Sequence, residues 1–354
     1  MRHGLKKMNK DGDVKENIIG FEALLNSMYK CKKHVIWKSS VAHYYLNGIE
    51  ETLKLKSQLE DGTYKPRPTV SFTITRPKKR DIISIAFRDR VYQRSLNDQS
   101  IYPQMCKSFI TANMACQKDK GTDAARDLLI EYLRRHYRKH GLKGGILQID
   151  IKGYYPSMRH EVVEKQFKKH LDTFTYDRAV EVLRTQYEGD VGVNPGSQMV
   201  QIAGISVPDP LDHYIKEELH IQGYIRYMDD LLLIHEDIAY LKHCQKVIAE
   251  KLSEDGFTPN TKKTKIVDIK DGCMFLGFFF RLTNTGKVVM LLDPKKVKEQ
   301  RKKLYRLVKR AKAGEITKGK ADYCYTSWKA HASKGNNYKM LQRMDTYYKS
   351  LWKE

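Results

Sequence analysis

Two short apolar runs that end on aspartate constrain this chain more than any other feature. The first is Gly145-Ile146-Leu147-Gln148-Ile149-Asp150. The second is interrupted: residues 224–227 and 231–234 are apolar runs on either side of Met228-Asp229-Asp230. Short runs of this kind read as buried strands, and two of them around a polar pair read as a hairpin. Carboxylates so close to a buried sheet are costly unless a cation compensates them. Phosphoryl transfer by two Mg²⁺ ions about 3.5–4 Å apart needs several carboxylates on rigid elements. A strand delivering Asp150 and a hairpin carrying Asp229 and Asp230 supply them. Each alone has an ordinary reading, as a cap, a turn residue or a surface acid.

The charge narrows the partner. Lys and Arg outnumber Asp and Glu 65 to 42, a net charge of +23, and the excess runs along the whole chain. Such a field favours a polyanion, of which nucleic acid is the commonest. The sequence contains no run of about 18 apolar residues, so no membrane-spanning helix is expected. Its basic start lacks the apolar stretch of a secretory signal. Cys31, Cys106, Cys116, Cys244, Cys273 and Cys324 are scattered without a Cys-x-x-Cys pair. They suit a reducing cytoplasm rather than a zinc module or a disulfide framework.

Helices alternate with strands along the chain. Ile18, Ile19, Phe21, Leu24, Leu25 and Met28 form one helical stripe, and Tyr45, Ile49, Leu53, Leu55 and Leu59 another. Residues 70–74 and 82–86 read as two strands joined by the basic tip Arg76-Pro77-Lys78-Lys79-Arg80. Helical patterning covers most of 87–140, broken near 118–121, and returns at 160–187. Residues 190–197 form a loop rich in Gly and Pro. A helix then starts near 198 and is limited by Pro208 and Pro210. Another covers 237–255, closed by Gly256. Residues 274–280 and 288–292 read as a further strand pair. Asp293-Pro294 caps a helix with Val297, Leu304, Val308 and Ala311 on one face and Lys and Arg on the other. The fold class is mixed α/β (α+β), helical at both ends.

At this point the order of motifs resembles the prokaryotic reverse transcriptases, of the group II intron-like, diversity-generating retroelement or defence-associated kind. Asp150-Ile151-Lys152-Gly153-Tyr154-Tyr155 is similar to their first catalytic motif and Tyr227-Met228-Asp229-Asp230 to their second. The resemblance runs from about residue 40 to 290. It implies a right-hand polymerase: a helical N-terminal region (1–62), fingers (63–145), palm (146–285, with part of the fingers interleaved) and helical thumb (286–354). It implies two Mg²⁺, with Mn²⁺ as a substitute, held by Asp150, Asp229, Asp230 and the Ile151 backbone. Lys263, in Lys262-Lys263-Thr264-Lys265, is implied near the departing pyrophosphate, with Lys265 in reserve. For the incoming dNTP it points to Lys79, Arg80, Gly196 and Gln201, and to Tyr155 as the residue that excludes a ribose 2′-hydroxyl. Phe275, Leu276 and Gly277 resemble the primer grip. Lys295, Lys296 and Arg301 would meet template–primer phosphates without reading sequence. Gly121-Thr122-Asp123-Ala124-Ala125 resembles an architectural region.

The segment Pro195-Gly196-Ser197-Gln198-Met199-Val200-Gln201 departs from most relatives, which have Gln before the Gly and Ser-Pro at the end. Its terminal Gln is similar to the diversity-generating branch. The expected activity is RNA-directed DNA synthesis on an RNA template from a DNA or RNA primer, in a diversity-generating retroelement or phage-defence setting. The expected partners also include a structured non-coding RNA and an accessory protein or second copy, and no membrane. Rival readings are a non-catalytic RNA-binding or splicing-assistance protein on the same scaffold, an RNA polymerase, and an untemplated or protein-primed polymerase.

Overall fold

The computed structural model describes residues 10–75, 80–193, 196 and 198–353; for 10–13 and 80 it describes the backbone alone. Four helices open it: α1 (Lys10–Ile19), α2 (Phe21–Cys31), α3 (Ser39–Leu46) and α4 (Gly48–Glu60). A two-stranded antiparallel hairpin follows, β1 (Val70–Ile74) with β2 (Arg80–Ser84). Then come α5 (Phe87–Leu96), a π-helical turn Asn97–Ile101, the short α6 (Tyr102–Met105) and the long α7 (Thr122–His140).

The centre is a four-stranded antiparallel sheet in the order β4-β5-β3-β6, built from β3 (Gly145–Asp150), β4 (Gly223–Tyr227), β5 (Asp230–His235) and β6 (Lys265–Asp268). Between β3 and β4 run α8 (His160–His170), α9 (Thr173–Gln186), α10 (Gln198–Ser206) and α11 (Asp209–Glu217). Helix α12 (Ile238–Glu254) joins β5 to β6 and is capped by Asp237, whose side chain accepts from the Ala239 and Tyr240 amides. A three-stranded sheet follows, β7 (Cys273–Phe275), β8 (Phe278–Leu282) and β9 (Val288–Leu292). Three helices close the chain: α13 (Pro294–Lys312), α14 (Lys318–Ala332) and α15 (Tyr338–Lys353).

The two middle strands, β3 and β5, are mostly apolar because both faces are covered. Leu147, Ile149, Leu231 and Leu233 face a large core shared with α2, α5 and α8–α11. Ile146, Ile225, Leu232 and Ile234 face a second core with α7 and the β7–β9 sheet. Each such side chain contributes about 1.5–3 kcal/mol on leaving water. The N-terminal helices have no core of their own: Leu24, Met28 and Leu55 join Val91, Tyr92 and Leu96 in the first one.

Several expected elements differ in detail. The first stripe is two helices, broken at Gly20, where an added Cβ would lie 2.4 Å from the Glu16 carbonyl oxygen. In the second stripe Leu55 is buried, but Ile49 and Leu53 face outward, 66% and 49% exposed. Residues 274–280 are not one strand. The chain reverses at Leu276 and Gly277, both left-handed (φ 43° and 87°), so β7 and β8 form a hairpin. Strand β6 was hidden in a lysine-rich segment.

At the C-terminus Asp293 caps α13 by accepting from the Lys295 amide at 2.8 Å. The loop between α14 and α15 returns to the sheet: Asn336 and Asn337 side chains accept from the Met290 and Leu292 amides at 2.9 and 3.0 Å.

Candidate active site

The three aspartates meet at one end of the central sheet. Asp150 is the last residue of β3 and pairs across the ladder with Asp230, the first residue of β5. Tyr227 pairs with Asp230, leaving Met228 and Asp229 as a two-residue turn. Met228 is left-handed (φ 58°), a conformation that usually selects glycine in such turns. The Ile151 amide donates to the Asp229 carbonyl at 3.1 Å, which ties the turn to the end of β3.

A basic side chain stands among these acids. Asp150 is only 8% exposed. Its Oδ1 accepts from the Lys263 ammonium and its Oδ2 from the Asn260 amide at 3.0 Å. The hydrogen bond to Asp150 holds Lys263 above the usual lysine range, and the charges of Asp150, Asp230 and Asp229 all add to it. All three carboxylates therefore act on one ammonium. Among the described residues no three His, Cys, Asp or Glu side chains form a group that could hold a metal ion as it stands. Lys263 and Asn260 occupy the Asp150 oxygens instead.

Beneath the turn lies a buried network that sequence reasoning missed. Arg226 Nε and Nη2 donate to the two Asp212 oxygens at 2.7 and 2.6 Å, and neither side chain reaches solvent. Tyr224 donates to the same carboxylate at 2.6 Å, and Arg226 also reaches the carbonyls of Ile205 and Met228 at 2.8 and 3.4 Å. Burial alone would lower the Arg226 guanidinium, but Asp212 beside it more than reverses that. The available signal was an arginine inside the apolar run 224–227.

Residues 75–280, more than half of the chain, match the family described as reverse transcriptase (RNA-dependent DNA polymerase). The chain belongs to that family. No curated protein sequence matches it. Solved structures similar to it include a Candida albicans telomerase in complex with a fragment of telomeric RNA, at 14% identity and TM-score 0.49, covering 75% of this chain and 55% of that one. A Candida tropicalis apo telomerase truncated from its C-terminal domain matches at 14% identity and TM-score 0.46, covering 69% and 60%. The chain thus spans little more than half the length of these telomerases. Its mixed α/β fold is consistent with the fingers, palm and thumb of a reverse transcriptase.

The other residues singled out on family resemblance are placed as follows. Tyr155 packs against α10: an added Cβ on Gly204 would lie 3.0 Å from its hydroxyl. That hydroxyl is buried and has no hydrogen-bond partner among the described residues. Burial raises it well above the ordinary phenol range. Gly196 and Gln201 are exposed, the latter in the first turn of α10. Lys79 lies outside the described residues, as do Pro195 and Ser197; Arg80 opens β2, and its side chain is not described.

Phe275, Leu276 and Gly277 form the β7–β8 turn, which α7 secures. Arg126 donates to the Leu276 carbonyl at 2.7 Å and stacks on Phe278 at 4.6 Å, while Asp123 pairs with both Arg126 and Lys334. Gln148 on β3 donates to the Met274 carbonyl at 2.8 Å. Lys295, Lys296 and Arg301 are exposed on α13. An added Cβ on Gly277 would come within 3.1 Å of Lys296 Nζ. Arg301 lines a groove of about 980 Å³ with Lys298, Lys302 and Arg306.

Proposed function

We propose that this reverse-transcriptase-family chain is an active RNA-directed DNA polymerase that extends a primer 3′-hydroxyl with dNTPs on an RNA template. The observation that carries this is the cross-strand pair Asp150–Asp230 with Asp229 in the adjoining turn, all three acting on Lys263. Three carboxylates beside a buried sheet are expensive to keep unless they have work to do.

The donors fit a hard divalent cation: Asp150, Asp229, Asp230 and the Ile151 carbonyl are all oxygen ligands, and a largely buried carboxylate already has a cation against it. Mg²⁺ there would neutralise phosphate charge and make the 3′-hydroxyl a better nucleophile. The protein's own parts follow from their positions. The Asp150–Asp230 register fixes two carboxylates on a rigid sheet. Lys263 supplies positive charge at their edge and, released from Asp150, can meet the leaving pyrophosphate. Tyr155, its ring backed by α10, closes the sugar end of the nucleotide site against a 2′-hydroxyl. Lys79, Arg80, Gly196 and Gln201 are proposed around the triphosphate and base. The β7–β8 turn and the basic face of α13 are proposed to hold primer and template backbones.

The proposed units are 1–62 as an N-terminal helical region, 63–145 as fingers, 146–285 as palm and 286–354 as thumb. The proposed setting is a diversity-generating retroelement or phage defence: Gln201 is similar to the former branch, Val200 before it is not, and the segment leaves the two open; the free cysteines suit a reducing cytoplasm.

Asp229→Asn tests the proposal. Primer extension on an RNA template with Mg²⁺ and dNTPs should drop by several orders of magnitude while RNA binding persists. Normal extension by this variant removes the metal assignment. A wild-type protein that binds RNA but never incorporates a nucleotide leaves the non-catalytic rival.

A further inference from the structure

The far end of the central sheet carries a second concave, basic feature. A cavity of about 690 Å³ opens there between the end of α7, the end of α11 and the end of β5. Arg135, Arg138, Lys139 and Lys216 line it, together with His140 and His235. Strand β3 fixes its distance from the aspartates. Gly145 pairs with His235 at the cavity end and Asp150 with Asp230 at the other. Five residue steps at about 3.4 Å put roughly 17 Å between the two ends. A nucleotide held at the aspartates does not reach it.

Two independent observations describe what would fit. The first is charge. Glu236 is the acid in the lining, and two imidazoles already attend it: His140 Nε2 at 3.7 Å and His235 Nε2 at 3.6 Å. Among the described residues Arg138 and Lys139 have no carboxylate within ion-pair reach. Basic residues in a last turn ordinarily answer the helix dipole, which accounts for Arg138, Lys139 and His140 on α7. Lys216 answers the end of α11 in the same way and donates to the Ile221 and Gln222 carbonyls at 3.2 and 3.0 Å, so two helix ends turn their cations into one hollow, and His235 joins them from β5. A concave basic surface focuses its field on an anion.

The second observation is a row of flat rings at this end of the sheet. His136 and His140 lie 5.1 Å apart, His235 and Tyr240 4.9 Å, and Tyr240 stacks with the exposed His243 at 5.9 Å and 28°. Basic groups interleaved with flat rings are how proteins bind single strands, phosphates on the cations and unstacked bases on the rings. A lipid surface needs no ring row, and an acidic peptide has nothing to stack.

We propose that this cavity is a second nucleic-acid site that takes a single-stranded segment lying outside any template–primer duplex. Its phosphates sit on Arg138 and Lys139 and its bases on His140, His235, Tyr240 and His243, the rings of the row that reach the surface, with the buried His136 backing them. The site stands whether or not the aspartates catalyse, because its readout is binding. An RNA strand and a displaced DNA strand share this chemistry.

The test uses the full chain and two labelled probes, oligo(U) RNA and oligo(dT) DNA, in fluorescence anisotropy over a salt series. The double variant Arg138→Glu, Lys139→Glu changes only exposed side chains, and circular dichroism checks its fold. Affinity for the preferred probe should fall about tenfold, and the slope of log K against log salt should flatten by about 1.4, two single-strand phosphates. Thiouridine-substituted RNA, or its thiothymidine DNA counterpart, should crosslink to residues 132–143 or 235–243 in the parent and not in the variant. The probe that loses more affinity identifies the strand. Unchanged affinity and slope for both probes overturn the proposal, as do crosslinks confined to α13. Inorganic tripolyphosphate competing as strongly as either oligonucleotide also overturns it, in favour of a small-anion pocket.

Discussion

Arg226 holds both carboxylate oxygens of Asp212 in a fork from which water is wholly excluded, two residues before the Met228–Asp229 turn. The pair links β4 to α11, and through the Ile205 carbonyl it also reaches the end of α10. Removing one partner strands a buried charge, which costs about 3–5 kcal/mol, whereas replacing both with apolar residues is often near neutral. Arg226→Met or Asp212→Leu alone should therefore lower urea stability by that amount, and the double variant should recover most of it. Equal losses in the single and double variants would show that the pair is not coupled.

A divalent ion bound as proposed would compete with Lys263 for the Asp150 carboxylate. With the Lys263 ammonium on Asp150, a metal must displace it. Lys263→Ala should tighten Mg²⁺ binding to the nucleotide-free protein severalfold by calorimetry, yet slow primer extension. Weaker Mg²⁺ binding would mean that the lysine recruits metal instead of holding its place.

Gly204 gives a way to move Tyr155 without altering it. Tyr154 donates to the Gly204 carbonyl, and Tyr155 leans on the same Cα. A methyl group there would lie 3.0 Å from the Tyr155 hydroxyl and 3.1 Å from its ring, so Gly204→Ala must push the ring. Both Tyr155→Ala and Gly204→Ala should change the ratio of dNTP to rNTP incorporation. Tyr155→Ala should lower it, and an unchanged ratio in that variant would remove the sugar-gate role.

Asp209 gives a pH signature. Burial pushes its carboxyl up to about 6 from 3.8, and neighbouring Asp212 adds to the rise. The folded state then binds a proton more tightly than the unfolded one, so this group lowers stability as pH climbs from about 4 to 6. Asp209→Asn should be more stable than the parent by about 1–3 kcal/mol at neutral pH, and the difference should vanish near pH 4. A pH-independent difference in urea midpoints would contradict the raised carboxyl.

The sequence was most readable where one signal dominated. The apolar strand ending in Asp150, the hairpin around Asp229 and the Asp293-Pro294 cap all lie where patterning put them. It was least readable where two signals overlapped. Residues 274–280 are apolar on both strands of a tight hairpin, so no alternation marked the reversal at Leu276. Strand β6 begins within Lys262-Lys263-Thr264-Lys265, whose charge masks its β-character. Ile49 and Leu53 kept helical spacing yet face outward, because periodicity reports a face and not what covers it. At the site, the three acids were legible, but the partners that orient them were not: Asn260 and Asp212 are brought in by folding from distant segments.

The loop between α14 and α15 has a mechanical consequence. Through Asn336 and Asn337 it is stitched to the free edge of β9, so the last three helices do not hang from Asp293 alone. Anchored at two points, they and the β7–β9 sheet must travel as one body. The Leu276–Gly277 turn rides on that body. Any swing of the C-terminal helices therefore carries the turn with it and loads the Asp123–Lys334 and Arg126–Leu276 ties to α7, an elastic tether whose stiffness should soften as salt weakens the ion pair.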